Sequence, residues 1–280
     1  MTSTRHAEGS IDQRDTESLG AAYRFDTFRT GLLLDDMRFR SSDPGPGEQA
    51  PDFALELLDG GTITNRTLGP RPVLIVFGSR TCPVTESAVP RLQGLHREFG
   101  SDVRFVLVNT REAHPGEHIS QPGTFEEKRA HADTLRAHHG IDHEVAVDDV
   151  HGTVHRLFGP KPNSAYLIRP DGTISYRAHW ANDDRGLREA ITATLADSQF
   201  RGQSRAMVRP LMRAVGHLPG IVRAGGGKIE RDVWRAAPPL AVLARLSSLL
   251  QWVALDRRGP MVAVTLGITT PLAVAAVTLS

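Results

Sequence analysis

The chain has 280 residues, 40% of them apolar and 23% charged, a balance that supports a folded core in one domain with extensions or in two domains. Its 33 basic and 32 acidic residues leave a formal net charge of +1, so the basic excess of a phosphate-backbone binder is missing and no nucleic-acid partner is expected. The single cysteine, Cys82, excludes an internal disulfide, a four-cysteine zinc site and an internal two-cysteine relay. It leaves three states open: an inert packed thiol, an intermolecular disulfide, or a reactive thiolate serviced by an external reductant.

Residues 1–48 read as an N-terminal extension and linker. The first 20 contain no apolar run, so a loosely held start is expected there and not a secretory signal. LLLDDMRF, within 21–43, is a short ordered element, and DPGPGEQAP is a turn or linker. From Pro51, PDFALELLDGGTITN predicts two strands around a DGG turn. VLIVF (73–77) is almost continuously apolar and β-branched, the pattern of a strand covered on both faces. Pro83 stands at a first helical position, and Val84, Ala88, Leu92, Leu95 and Phe99 recur on one face of the helix that follows. FVLVN (105–109) completes a β-α-β unit.

The polar excursion TREAHPGEHISQPG precedes a helix over 124–139, a strand over 144–149 and one or two helical turns over 152–158. SAYLIRPDGTISYRA (164–178) predicts a hairpin, and 184–196 a final helix with Leu187, Ala190, Ile191, Thr194 and Leu195 on its less polar side. This order predicts an α/β, thioredoxin-like three-layer fold with a central mixed sheet over residues 49–200, followed by a C-terminal helical extension.

Residues 201–232, rich in Arg and Gly, read as a linker, and 233–280 as a helical tail. Within the tail, 233–255 predicts an amphipathic helix carrying Trp234 and Trp252, irregular at Pro238 and Pro239. Residues 261–279 carry no charge and just reach bilayer length, which makes them a candidate membrane anchor or contact. Arg257 and Arg258 would then flank the inner side and place the redox domain in the cytoplasm.

Cys82 lies in VLIVFGSRTCPVTE, where a buried strand gives way to a helix. Unsatisfied helix N–H groups at that junction are expected to stabilise a thiolate and lower the thiol pKa. Gly78 allows a tight exit, Ser79 and Thr81 offer hydroxyls, Pro83 uses no amide donor, and Arg80 adds positive charge. FGSRTCP (77–83), NTREAHPGE (109–117) and the hairpin beyond residue 160 resemble the iodothyronine deiodinase family of the thioredoxin-like superfamily, over roughly residues 49–196. In that family the residue matching Cys82 is commonly selenocysteine. The resemblance implies reductive removal of halogen with a thiol cosubstrate and no bound cofactor. It also implies active-site roles for Cys82, Ser79, Thr81 and Pro83, and for Glu112 and His114 of the EAH segment.

The chain is more distantly similar to peroxiredoxins, which begin a helix with a peroxide-reactive cysteine. Ser79 stands where those enzymes usually have threonine, and Ile75 where they have proline. A thioredoxin CxxC is absent, since Thr85 occupies the second position. Three readings follow. The first is a deiodinase-like oxidoreductase whose Cys82 attacks a small-molecule electrophile and is regenerated by a thiol reductant or a thioredoxin-like donor. The second is a one-cysteine peroxidase for hydrogen peroxide or organic hydroperoxides, and the third a noncatalytic, membrane-associated binding module.

Arg80, Pro83 and Asn163 are candidate substrate contacts. Pro162 stands one residue before the spot where thioredoxin-like proteins often carry a cis-proline, and Asn163 fills that spot. His114, at the end of a strand, can orient substrate or move a proton. His118, His131, His138, His139 and His143 show no convincing ligand pattern with carboxylate support, and no metal is expected. Asp148 and Asp149 read as turn or capping residues, and Trp180 as packing or a cleft rim.

Overall fold

The computed structural model describes residues 23–267; the start expected to be loosely held, over residues 1–20, lies outside them. Eight strands form one mixed sheet: β1 (Ala54–Leu57), β2 (Thr62–Thr64), β3 (Val73–Gly78), β4 (Arg104–Asn109), β5 (Glu144–Val147), β6 (Ala165–Ile168), β7 (Ile174–Ala178) and β8 (Gly202–Ser204). Their order across the sheet is β2-β1-β5-β4-β3-β6-β7-β8. β3 pairs in parallel with β4, from Val73↔Arg104 to Gly78↔Asn109, and antiparallel with β6. The predicted hairpins are β1–β2 and β6–β7. The α/β thioredoxin-like class with a mixed central sheet and added C-terminal helices is therefore the observed one.

Every residue of β3 is buried, as its unbroken apolar run requires. Alternation divides them: Leu74 and Val76 join the core under α2 (Pro83–Phe99), α3 (Phe125–His139) and α5 (Asp184–Ala196), whereas Val73, Ile75 and Phe77 join the opposite core with Phe53 and Phe158. The remaining helices of this region are α1 (Thr30–Asp36) and α4 (Thr153–Leu157). Local chemistry sets the helix ends. Cys82 is the N-cap of α2, with Pro83 next to it. Thr124 and Glu127 form a reciprocal capping box on α3, which ends at Gly140 in the left-handed region (φ 59, ψ 47).

The C-terminal region departs from its sequence reading. Residues 201–232, expected as a linker, supply β8, the 18-residue helix α6 (Val208–Gly225) and the start of α7 (Gly227–Ala236). Leu211, Val215, Leu218 and Ile221 recur at helical spacing and are buried, and each such side chain contributes about 1.5–3 kcal/mol. The glycines and Pro219 masked that amphipathic pattern. The single helix expected over 233–255 is two, α7 and α8 (Pro238–Ser247). They break at Ala237 because Pro238 restricts the residue before it and prefers a first helical position.

The expected membrane contact is also corrected. No helix among the described residues is long and apolar enough to cross a membrane. Residues 261–265 instead complete α9 (Leu255–Thr265), which packs on α6, while 268–279 lie outside the described residues.

α6 and α9 meet backbone to backbone. A Cβ on Gly216 would collide with the Leu255 carbonyl oxygen, and one on Gly259 with that of Met212. Charges brace the same junction: Arg91 of α2 bonds both Asp184 and Asp256, Arg213 bonds Asp184, and His217 bonds Asp256. Gly259→Ala should therefore destabilise the protein by about 1–3 kcal/mol in thermal unfolding and speed proteolysis of the 248–254 loop. Gly31→Ala, where a Cβ meets nothing, should do neither.

Candidate active site

Cys82 sits where β3 ends and α2 begins, as its sequence setting predicts. Its sulfur accepts a hydrogen bond from the Thr85 N–H at 3.4 Å. The expected low pKa is not found: the residue is 1% exposed, and burial pushes the thiol up to about 11. The Thr85 hydroxyl and the Thr85 and Val84 N–H groups offset that rise only in part.

What buries the sulfur is the C-terminal region. Cys82, Val84, Ala113 and Trp180 form one apolar cluster with side chains of α6, α7 and α8, among them Leu211, Val215, Leu218 and Val233. Within it the thiol opens onto a cavity of about 80 Å³, also lined by Phe28 and Leu33 from the α1 region, and by Asp36, His114 and Pro162.

Four polar groups of the cavity wall matter chemically. Burial pushes Asp36 up to about 7, against the opposing pull of Arg111 and Lys161. Burial pushes His114 down to about 4, so it is neutral at pH 7; its ring packs on Phe28 with centroids 4.3 Å apart. His114 Nδ1 and Trp180 Nε1 are buried and find no hydrogen-bond partner among the described residues. The fourth group is Cys82 itself.

The two predicted motifs dock through Glu112, whose side chain is fully buried. Its Oε2 accepts from the Thr81 N–H (2.8 Å) and the Thr81 hydroxyl (2.6 Å), and its Oε1 bonds His131 Nδ1 (2.8 Å). Thr81 Oγ1 accepts in turn from the His114 N–H, and Ser79 Oγ from the Ala113 N–H. Ser79, Thr81 and Glu112 thus join the cysteine loop to the 109–117 loop, while Cys82, Pro83 and His114 line the cavity.

Arg80 turns elsewhere, to Glu86 and His138. Asn163 is buried and engaged internally, donating to the Phe77 carbonyl and the Thr85 hydroxyl and accepting from the Ala181 N–H. The bond before Pro162 is trans. Sequence reasoning passed over Asp36, in an element too short to interpret, and the roof of α6–α8. For α6 the signal was the spacing of Leu211, Val215, Leu218 and Val222.

Residues 46–177 match the AhpC/TSA family profile. The methylamine utilization protein MauD of Methylobacillus flagellatus is 32% identical over 76 residues, 26% of this chain and 37% of that protein. The thiol-disulfide oxidoreductase ResA of Halalkalibacterium halodurans is 36% identical over 67 residues, 24% of this chain and 38% of its own. The chain thus spans well under half the length of these curated relatives. Among solved structures, a secreted Mycobacterium tuberculosis disulfide oxidoreductase is 16% identical, with a TM-score of 0.40 over 50% of this chain and 95% of that one. The cytoplasmic placement expected from the sequence is corrected: it took a spanning tail as its premise, and that span is not found among the described residues.

Two substitutions test this geometry. Glu112→Ala leaves Thr81 and His131 without their buried acceptor and should cost about 3–5 kcal/mol in chemical denaturation. Asp36→Asn should lower the Cys82 pKa, read from ultraviolet thiolate absorbance, because it removes a negative charge that holds the thiol protonated. The folded pKa of Asp36 is raised from 3.8 to about 7, so its ionisation weakens the fold as pH rises through that window. The Asn variant should accordingly gain Tm relative to the parent at pH 8 and not at pH 3.

Proposed function

We propose that this protein, whose residues 46–177 match the AhpC/TSA family profile, is a one-cysteine thiol peroxidase for small organic hydroperoxides, regenerated by an external thiol. The observation that carries the reading is the cavity: the only cysteine opens onto an apolar space of about 80 Å³. At about 30 Å³ for a water-sized group, that volume holds a hydroperoxide head and a short alkyl stub.

The chemistry follows from the wall. Cys82 sulfur attacks the distal peroxide oxygen, the O–O bond breaks, and sulfur is oxidised to a sulfenic acid as ROOH becomes ROH. Asp36, poised near neutrality, accepts the thiol proton and returns it to the leaving alkoxide oxygen. Trp180 Nε1–H donates to a peroxide oxygen, and His114 Nδ1 bonds the other in the tautomer that suits it. One external thiol then condenses with the sulfenic acid, releasing water and leaving a mixed disulfide. A second external thiol attacks that mixed disulfide, returning the Cys82 thiol and leaving joined to the first as a disulfide.

A noncatalytic module is the second reading, favoured by the thiol pKa of about 11. Oxidation of the reduced protein, followed by intact mass against Cys82→Ser, separates the two. The peroxidase reading expects Cys82-dependent addition of one oxygen, with ethyl hydroperoxide faster than hydrogen peroxide by about fourfold per buried methylene. It also expects a rate that climbs with pH up to about 7 and then levels, with that limb lost in Asp36→Asn. Rates no faster than those of a free thiol would leave the noncatalytic reading, while iodide release from an iodinated phenol without peroxide turnover would restore the halogen-directed one.

A further inference from the structure

Away from the cysteine cavity, the first turn of α2 and the last turn of α3 bring three metal-binding side chains together. In sequence, His138 and His139 lacked a carboxylate; the fold supplies one, Glu86. Its Oε1 lies 2.8 Å from His138 Nε2 and its Oε2 lies 3.4 Å from His139 Nε2. One donor atom from each residue falls within 4.8 Å of the other two. A tetrahedral zinc ion with bonds near 2.0–2.1 Å holds its ligand atoms about 3.3–3.4 Å apart, so small side-chain rotations convert the observed spacings into three edges of such a site.

We propose that Glu86, His138 and His139 bind a borderline divalent cation of the Zn²⁺ class, with water in the fourth position and Arg80 as the group the cation displaces. Two further observations point to a ligand. The His139 side chain is 7% exposed, yet its Nε2 is buried without a hydrogen-bond partner. His138 and His139 also end α3, where the helix dipole presents its negative pole.

The opposing charge is Arg80, with one guanidinium nitrogen 3.3 Å from Glu86 Oε2 and the other 3.4 Å from His138 Nδ1. It occupies the carboxylate that the metal needs, which gives the proposal a signature that a salt-bridge cluster lacks: removing Arg80 should strengthen metal binding.

Zinc titration of the full chain by calorimetry, with cobalt absorbance as a second readout, tests this. One ion per chain is expected, bound at least about tenfold more weakly by Glu86→Gln and by His139→Asn. Arg80→Ala should bind about tenfold more tightly, a gain that misfolding cannot imitate, and Cys82→Ser should bind as the parent does. The proposal is overturned by the absence of zinc binding, by binding that survives both ligand substitutions, or by binding that disappears with Cys82.

Discussion

A carboxylate with no exposed surface governs the arrangement around the cysteine. Glu112 has left water entirely, and the cost of that is offset only because Thr81 gives it both an N–H and an O–H while His131 takes its second oxygen. Those bonds tie the segment leaving β3 to the segment leaving β4, two parallel neighbours that the sheet already holds in register. Where Cys82 and His114 lie relative to each other follows from that clasp. So does the ledge on which the C-terminal helices rest, since Gly116 of the same segment packs against the Gly225 carbonyl at the end of α6.

Cys82 is where two opposing influences on a thiol can be weighed. A helix N-terminus favours the anion by about 0.3–1 kcal/mol, up to about 2, which is at most about one and a half pKa units. Full burial can move a group by about 3–5 units the other way. The sequence shows the first influence, because Pro83 and the strand-to-helix junction are local. The second comes from Leu211, Val215, Leu218 and Val233, more than a hundred residues downstream, and it is the larger. The same enclosure raises Asp36 and leaves two ring nitrogens without partners, so one roof sets the protonation of the whole cavity.

This division explains how far the sequence could be read. The sheet apart from β8, its hairpins and α2, α3 and α5 came from periodicity and punctuation within single segments, and α5 occupies the residues predicted for it. Long-range placement was harder. Ser79, Thr81 and Glu112 stood out in the sequence, but not as braces between two loops, because bracing depends on a contact across about thirty residues. Asn163 was a reasonable contact by position and is instead saturated by Phe77, Thr85 and Ala181. The helical roof was misread because glycine and proline usually mark linkers. Here Gly216 and Gly259 are small so that two helices can touch.

The roof also bears on how the protein behaves in air. Joining two copies through a disulfide requires sulfurs about 2.05 Å apart and Cβ atoms near 3.8 Å; three helices keep a second folded copy from that approach, while the cavity beside the sulfur leaves room for a small thiol. Of the three fates open to a lone cysteine, covalent pairing between chains is therefore closed while α6, α7 and α8 remain in place. Reductant-free storage should leave such a chain uncrosslinked, and disulfide-linked dimers on a non-reducing gel would report that the helices had lifted.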